Sequence, residues 1–103
     1  AALVKYTRDR LGGGRAKSYR FFVTGHSLGG FYAQLVAMQT ELPGAAFNTI
    51  PLPDTNKMHG ARATYKGSFV CHLRKNDPVN STPQLFGHYL GAVVMHGAGD
   101  VKV

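Results

Sequence analysis

A serine with glycine two positions away on either side, Gly25-His26-Ser27-Leu28-Gly29, stands between an apolar run and a long stretch of helical periodicity. No other part of the chain restricts its fold so tightly. Phe21-Phe22-Val23 before the motif reads as a buried strand, while Leu28, Phe31, Tyr32, Leu35, Val36 and Leu42 recur after it at helical spacing. A strand, a turn and a helix therefore meet at Ser27, the layout of a G-x-S-x-G elbow. Such a turn forces the central residue into a sparsely populated backbone region, and side chains two positions before and after it would collide. Gly25 and Gly29 relieve that crowding. The helix that follows aims free N–H groups and a positive dipole end at the serine, which makes Leu28 N–H a natural donor to an oxyanion.

The rest of the chain supplies a sheet for that elbow. Residues 1–11 read as a short helix ended by Gly12-Gly13-Gly14. Arg15-Ala16-Lys17-Ser18 lacks the glycines of a phosphate-binding loop and reads as a turn. After Pro43-Gly44, Ala45–Ile50 is a second strand, separated from the first by a helix as in a βαβ crossover, so a parallel sheet follows. Residues 51–66, with Pro51, Pro53, Asp54, Asn56 and Gly60, read as a long loop with room for one helical turn. Gly67–Leu73 is a third strand, left immediately by Asp77-Pro78, and Ala92–His96, bounded by Gly91 and Gly97, is a fourth. The expected architecture is one α/β domain spanning residues 1–103, in three layers, with about four mostly parallel strands and flanking helices.

Length fits one core. No apolar stretch approaches the ~20 residues of a membrane span. The N-terminus lacks the basic-then-apolar layout of a signal peptide, and a mature secreted chain would have lost one, so the compartment stays open. The lone cysteine, Cys71, excludes an internal disulfide framework and falls in an apolar run, where a buried thiol is expected. The five histidines are scattered and no pair has metalloprotease spacing, so neither a metal site nor a cofactor is expected. Lys5, Arg8, Arg10, Arg15, Lys17 and Arg20 make the first fifth of the chain basic within a net charge of +7. That charge suits an anionic lipid surface, while no nucleic-acid motif accompanies it and no specific nucleic-acid partner is expected.

In a parallel sheet the C-terminal ends of all strands share one edge, so Ser27, Asp77 and His96 are placed to meet there. Their order, Ser, Asp, His, is that of triads in which histidine takes the serine proton and the carboxylate steadies the imidazole. His96 ends the fourth strand and has the better topological position. His88 is the second choice, and a chain with no competent histidine is the remaining case. His26 should diverge from its neighbour Ser27 at a tight turn, while His59 and His72 read as loop and strand residues.

VTGHSLGG with its long helix, then FNTIPLP, then RKNDPV, resembles the class 3 lipase group of α/β-hydrolases over about residues 19–91. The resemblance implies a serine ester hydrolase acting on an ester or lipid substrate through an acyl-enzyme, with Ser27 as nucleophile and Asp77 as triad acid. That family places its histidine well beyond the DPV segment and takes a second oxyanion N–H from an earlier strand. The chain is therefore expected to be incomplete relative to the family, either a C-terminal half or a minimised relative. A noncatalytic hydrolase-like fragment, binding a partner or anionic surface through its basic face, is the alternative.

Overall fold

In the computed structural model, residues 20–75 and 87–97 are described. The N-terminal helix expected at residues 1–11, most of the basic segment, and Asp77 lie outside them. The described elements run β1 (Val23–His26), α1 (Leu28–Thr40), β2 (Gly44–Phe47), β3 (Leu52–Pro53), α2 (Asn56–Thr64), β4 (Phe69–Arg74), β5 (Gly87–His88) and β6 (Ala92–His96). Strands β1-β2-β4-β6 form one sheet in that order, with every pairing parallel. Strands β3 and β5 pair antiparallel in a second, two-stranded sheet, with Leu52 opposite His88. The described residues thus have the α/β arrangement of parallel strands and helices that the sequence leads one to expect.

The first strand differs from its expected place. Phe22 is 63% exposed and the ladder begins at Val23, opposite Gly44, then runs through Thr24 and Gly25 to His26. The apolar run is not the strand because the turn at Ser27 fixes where the strand must end. The ladder is drawn forward through polar residues up to that turn. The second strand stops at Phe47, short of the expected Ile50, because Asn48 adopts φ 46° and leaves the ladder, its N–H donating to His72 O at 2.8 Å.

Helix α1 packs on one face of the sheet, and its buried stripe is Gly30, Ala33, Gln34 and Ala37. The large apolar residues do not lead: Leu28 is 57% and Tyr32 55% exposed, while Phe31 and Leu35 border the core. The elbow brings the helix so close to the strands that three of the four stripe positions are glycine or alanine, Gln34 being the exception. A Cβ on Gly30 would stand 2.5 Å from Thr49 Cβ and 3.2 Å from Ala46 Cβ. Beneath the helix, Ala46, Leu52, Phe69, Cys71 and Leu90 complete the core.

Among the described residues two polar side chains are fully buried, Thr49 and Gln34, and the Gln34 amide is used at both ends. Gln34 Nε2 donates to Gly30 O at 3.3 Å and Ile50 O at 3.1 Å, and its Oε1 accepts from Leu90 N at 3.0 Å. The amide ties α1 to the β2–β3 link and to the segment entering β6. Burying it is tolerable because its carbonyl and amine both find partners. Residues 56–64, expected within a loop, form a nine-residue helix with no buried residue. Thr55 Oγ1 caps it by accepting from Met58 N at 3.1 Å, while Met58 packs against the core and Tyr65 OH, just beyond the helix, donates to the distant Leu42 O at 2.6 Å.

Candidate active site

Ser27 occupies the turn between β1 and α1 with φ 56° and ψ −122°, a conformation that residues with a Cβ seldom adopt. Its backbone is held at both ends. The N–H donates to Phe47 O at 3.0 Å. The carbonyl accepts from Gly30 N at 3.0 Å, from Phe31 N at 3.3 Å and from Thr49 Oγ1 at 2.9 Å. Thr49 is itself fully buried, and Tyr89 OH donates to its carbonyl at 3.2 Å. Strain at Ser27 is thus over-determined by neighbours on β2 and just beyond it.

A serine at a helix N-cap ordinarily spends its hydroxyl on the first free N–H groups of the helix. Ser27 makes no such bond. Its Oγ remains available for chemistry, and Leu28, at the first helical position, has an N–H that no intrahelical carbonyl can take.

The glycines divide their work differently from the sequence-based expectation. A Cβ on Gly25 would come within 2.2 Å of Gly29 O, so the strand can approach the helix only without a side chain there. Gly29 contributes its backbone to that contact, and a Cβ of its own would meet nothing within 4 Å among the described residues. The second position closed to a side chain is Gly30, against Thr49. Thr49 and Gly30 were not singled out from sequence. The doubled glycine in GHSLGG is a signal that could have marked Gly30, while no local pattern marks Thr49.

His96 lies at the same sheet edge as Ser27, as parallel strands require, but three strands away in the order β1-β2-β4-β6. At ~4.8 Å per strand that is about 14 Å, far beyond hydrogen-bond reach. Its Nε2 instead lies 3.1 Å from His72 Nδ1, and the two rings stack at 5.4 Å. Phe47 continues the row, its ring parallel to that of His72 at 5.1 Å.

His88 sits on β5, with Nε2 3.7 Å from Asp54 Oδ1. The same carboxylate oxygen pairs with His59 Nε2. His26 is exposed at the end of β1. All five histidines of the chain fall among the described residues, and none of them hydrogen-bonds Ser27 Oγ there. The structure therefore assembles the elbow and leaves both candidate bases elsewhere.

Cys71 is fully buried, donating from Sγ to Leu90 O at 3.5 Å. Burial pushes its thiol up to about 12, beyond the nucleophilic range. A cavity of about 790 Å³ lined by Glu41, Ala63, Thr64, Lys66 and Gly67 lies at the C-terminal end of α1, the opposite end from Ser27. No protein family, no curated protein and no solved structure matches the chain, so the chemistry of the site rests on these positions alone.

Proposed function

We propose that this chain carries the nucleophile of a serine ester hydrolase related to the class 3 lipase group of α/β-hydrolases. The observation that supports the reading is the backbone of Ser27, held at φ 56° and ψ −122° between a parallel strand and a helix with its hydroxyl unspent on capping. Ser27 Oγ would attack the ester carbonyl, and the charge on the carbonyl oxygen would be met by Leu28 N–H and the helix dipole. The alcohol would leave, and water would hydrolyse the acyl-enzyme. Asp77 follows the end of β4 by three positions in the sequence, and the resemblance would make it the triad acid, in the chain order Ser, Asp, His. Short, soluble esters fit this reading best, and the basic N-terminal residues would favour an anionic lipid surface.

Proton removal requires an imidazole at Ser27 Oγ, which neither His96, three strands away beside His72, nor His88, beside Asp54, supplies in this arrangement. That requirement favours a second reading, a hydrolase-like fold without turnover that binds a partner or an anionic surface. Reaction with a fluorophosphonate separates the two. An activated serine forms a bond from Oγ to phosphorus with loss of fluoride, and an unactivated one does so slowly. Rapid labelling of the parent but not of Ser27→Ala, with butyrate ester hydrolysed by unlabelled parent and lost on labelling, is the expected result. A folded parent that fails to label would exclude the catalytic reading.

A further inference from the structure

We infer that Asp54, His59 and His88 form a binding site for a single divalent ion of the zinc type. The three residues come from separate places: the link between β3 and α2, the first half of α2, and β5. The pairing of Leu52 with His88 and of Pro53 with Gly87 sets β5 beside the residue that follows β3. Both imidazoles turn Nε2 toward the same carboxylate oxygen, and one ligand atom from each residue lies within 4.8 Å of the other two. Around a tetrahedral zinc ion with bonds of ~2.0–2.1 Å, ligand atoms stand about 3.3 Å apart. The closure needed is a side-chain movement, and each side chain is about half exposed and free to make it.

The donor set decides the class of ion. Two imidazole nitrogens and one carboxylate oxygen suit zinc and its transition-metal neighbours rather than calcium or magnesium, which take oxygen. Three protein ligands leave the fourth position to water or an anion. The bound ion would tie β5 to α2, a helix with no fully buried residue that meets the core through the partly buried Met58.

Arg62 adds a distinguishing feature. Its Nη2 lies 2.8 Å from His59 Nδ1. Guanidinium only donates, so Nδ1 accepts and the ring hydrogen sits on Nε2, facing Asp54. Ligation through Nε2 needs the other tautomer, with hydrogen on Nδ1, which Arg62 cannot accept. Arg62 therefore competes with the ion, and a side chain of similar length without donors should tighten binding.

The test is titration of the full chain with Zn²⁺ by calorimetry and with Co²⁺ by visible absorption. One ion per chain is expected, with Co²⁺ showing the intense bands of tetrahedral coordination and no sulfur charge-transfer band. Asp54→Asn, His59→Ala and His88→Ala, each checked for folding by circular dichroism, should weaken binding about tenfold or more. Arg62→Met should strengthen it, and the double variant His72→Ala/His96→Ala should leave it unchanged. Absence of saturable binding, binding indifferent to the three ligand variants, binding lost with His72 and His96, or weaker binding in Arg62→Met would each overturn the assignment.

Discussion

At φ 56° and ψ −122°, Ser27 bears a strain that glycine does not. A Cβ held in so sparsely populated a region costs ~1–3 kcal/mol. Replacing Ser27 by glycine removes that cost but makes the unfolded chain more flexible, which takes back ~0.4–1 kcal/mol relative to alanine. Ser27→Ala is the right reference, because it keeps the Cβ and loses the hydroxyl as glycine does. The balance predicts that Ser27→Gly is more stable than Ser27→Ala by ~1 kcal/mol. At an unfolding entropy of ~2.1 cal/mol/K per residue, a chain of 103 residues gains about 5 °C in melting temperature. Scanning calorimetry of the two variants, with urea midpoints as a second measure, reads the difference directly. A glycine variant melting at or below the alanine variant would refute the claim that this turn stores strain.

Gly25→Ala should cost more than ~3 kcal/mol, because its Cβ would meet the Gly29 carbonyl at 2.2 Å and neither backbone can yield. Gly29→Ala, whose Cβ points into open space, should be neutral or gain up to ~1 kcal/mol from helix propensity; urea denaturation of both decides, and equal effects would count against the packing described. Gln34→Met should lose at least ~2 kcal/mol, since Leu90 N–H and Ile50 O are left buried without their partner; a loss below ~0.5 kcal/mol would mean that these groups find other partners. Cys71 keeps its proton in the folded chain up to about 12, whereas the unfolded thiol ionises near 9.0. Its contribution is fully present below pH 9 and is lost as pH rises toward 12, by as much as ~4 kcal/mol. The Cys71→Ala variant should therefore show a shallower fall in urea midpoint between pH 8 and 10 than the parent, and parallel profiles would contradict the burial argument.

The elbow was legible because its signal is local: five residues and the periodicity on either side specify strand, turn and helix. The fourth strand was equally legible, since Gly91 and Gly97 bound Ala92–His96. What periodicity misplaced was the buried face of α1. The large side chains follow a helical repeat, yet the close approach at the elbow gives the contact to Gly30, Ala33, Gln34 and Ala37. Helix α2 was hidden because none of its residues is fully buried and Met58 is the hydrophobic side chain within it that packs on the core, too little apolar repeat to read. The pairing of β3 with β5 joins two-residue strands distant in sequence, one containing Pro53, so neither carries a strand pattern. That pairing brings His88 to Asp54, and sequence spacing could not reveal it. His96 was placed on the correct edge by the logic of parallel strands, but the lateral order of those strands separates it from Ser27.

Every backbone bond that fixes Ser27 comes from within 22 positions of it along the chain. In folding terms, the elbow closes only short loops, whereas β5 and β6 must be recruited across much longer ones. The strained serine belongs to a β1–α1–β2 module that can set its own geometry while the histidines are still far away. Such a module can be inherited, or retained, separately from the proton-transfer partners that make it reactive, which leaves the shape and the chemistry of the site open to diverge independently.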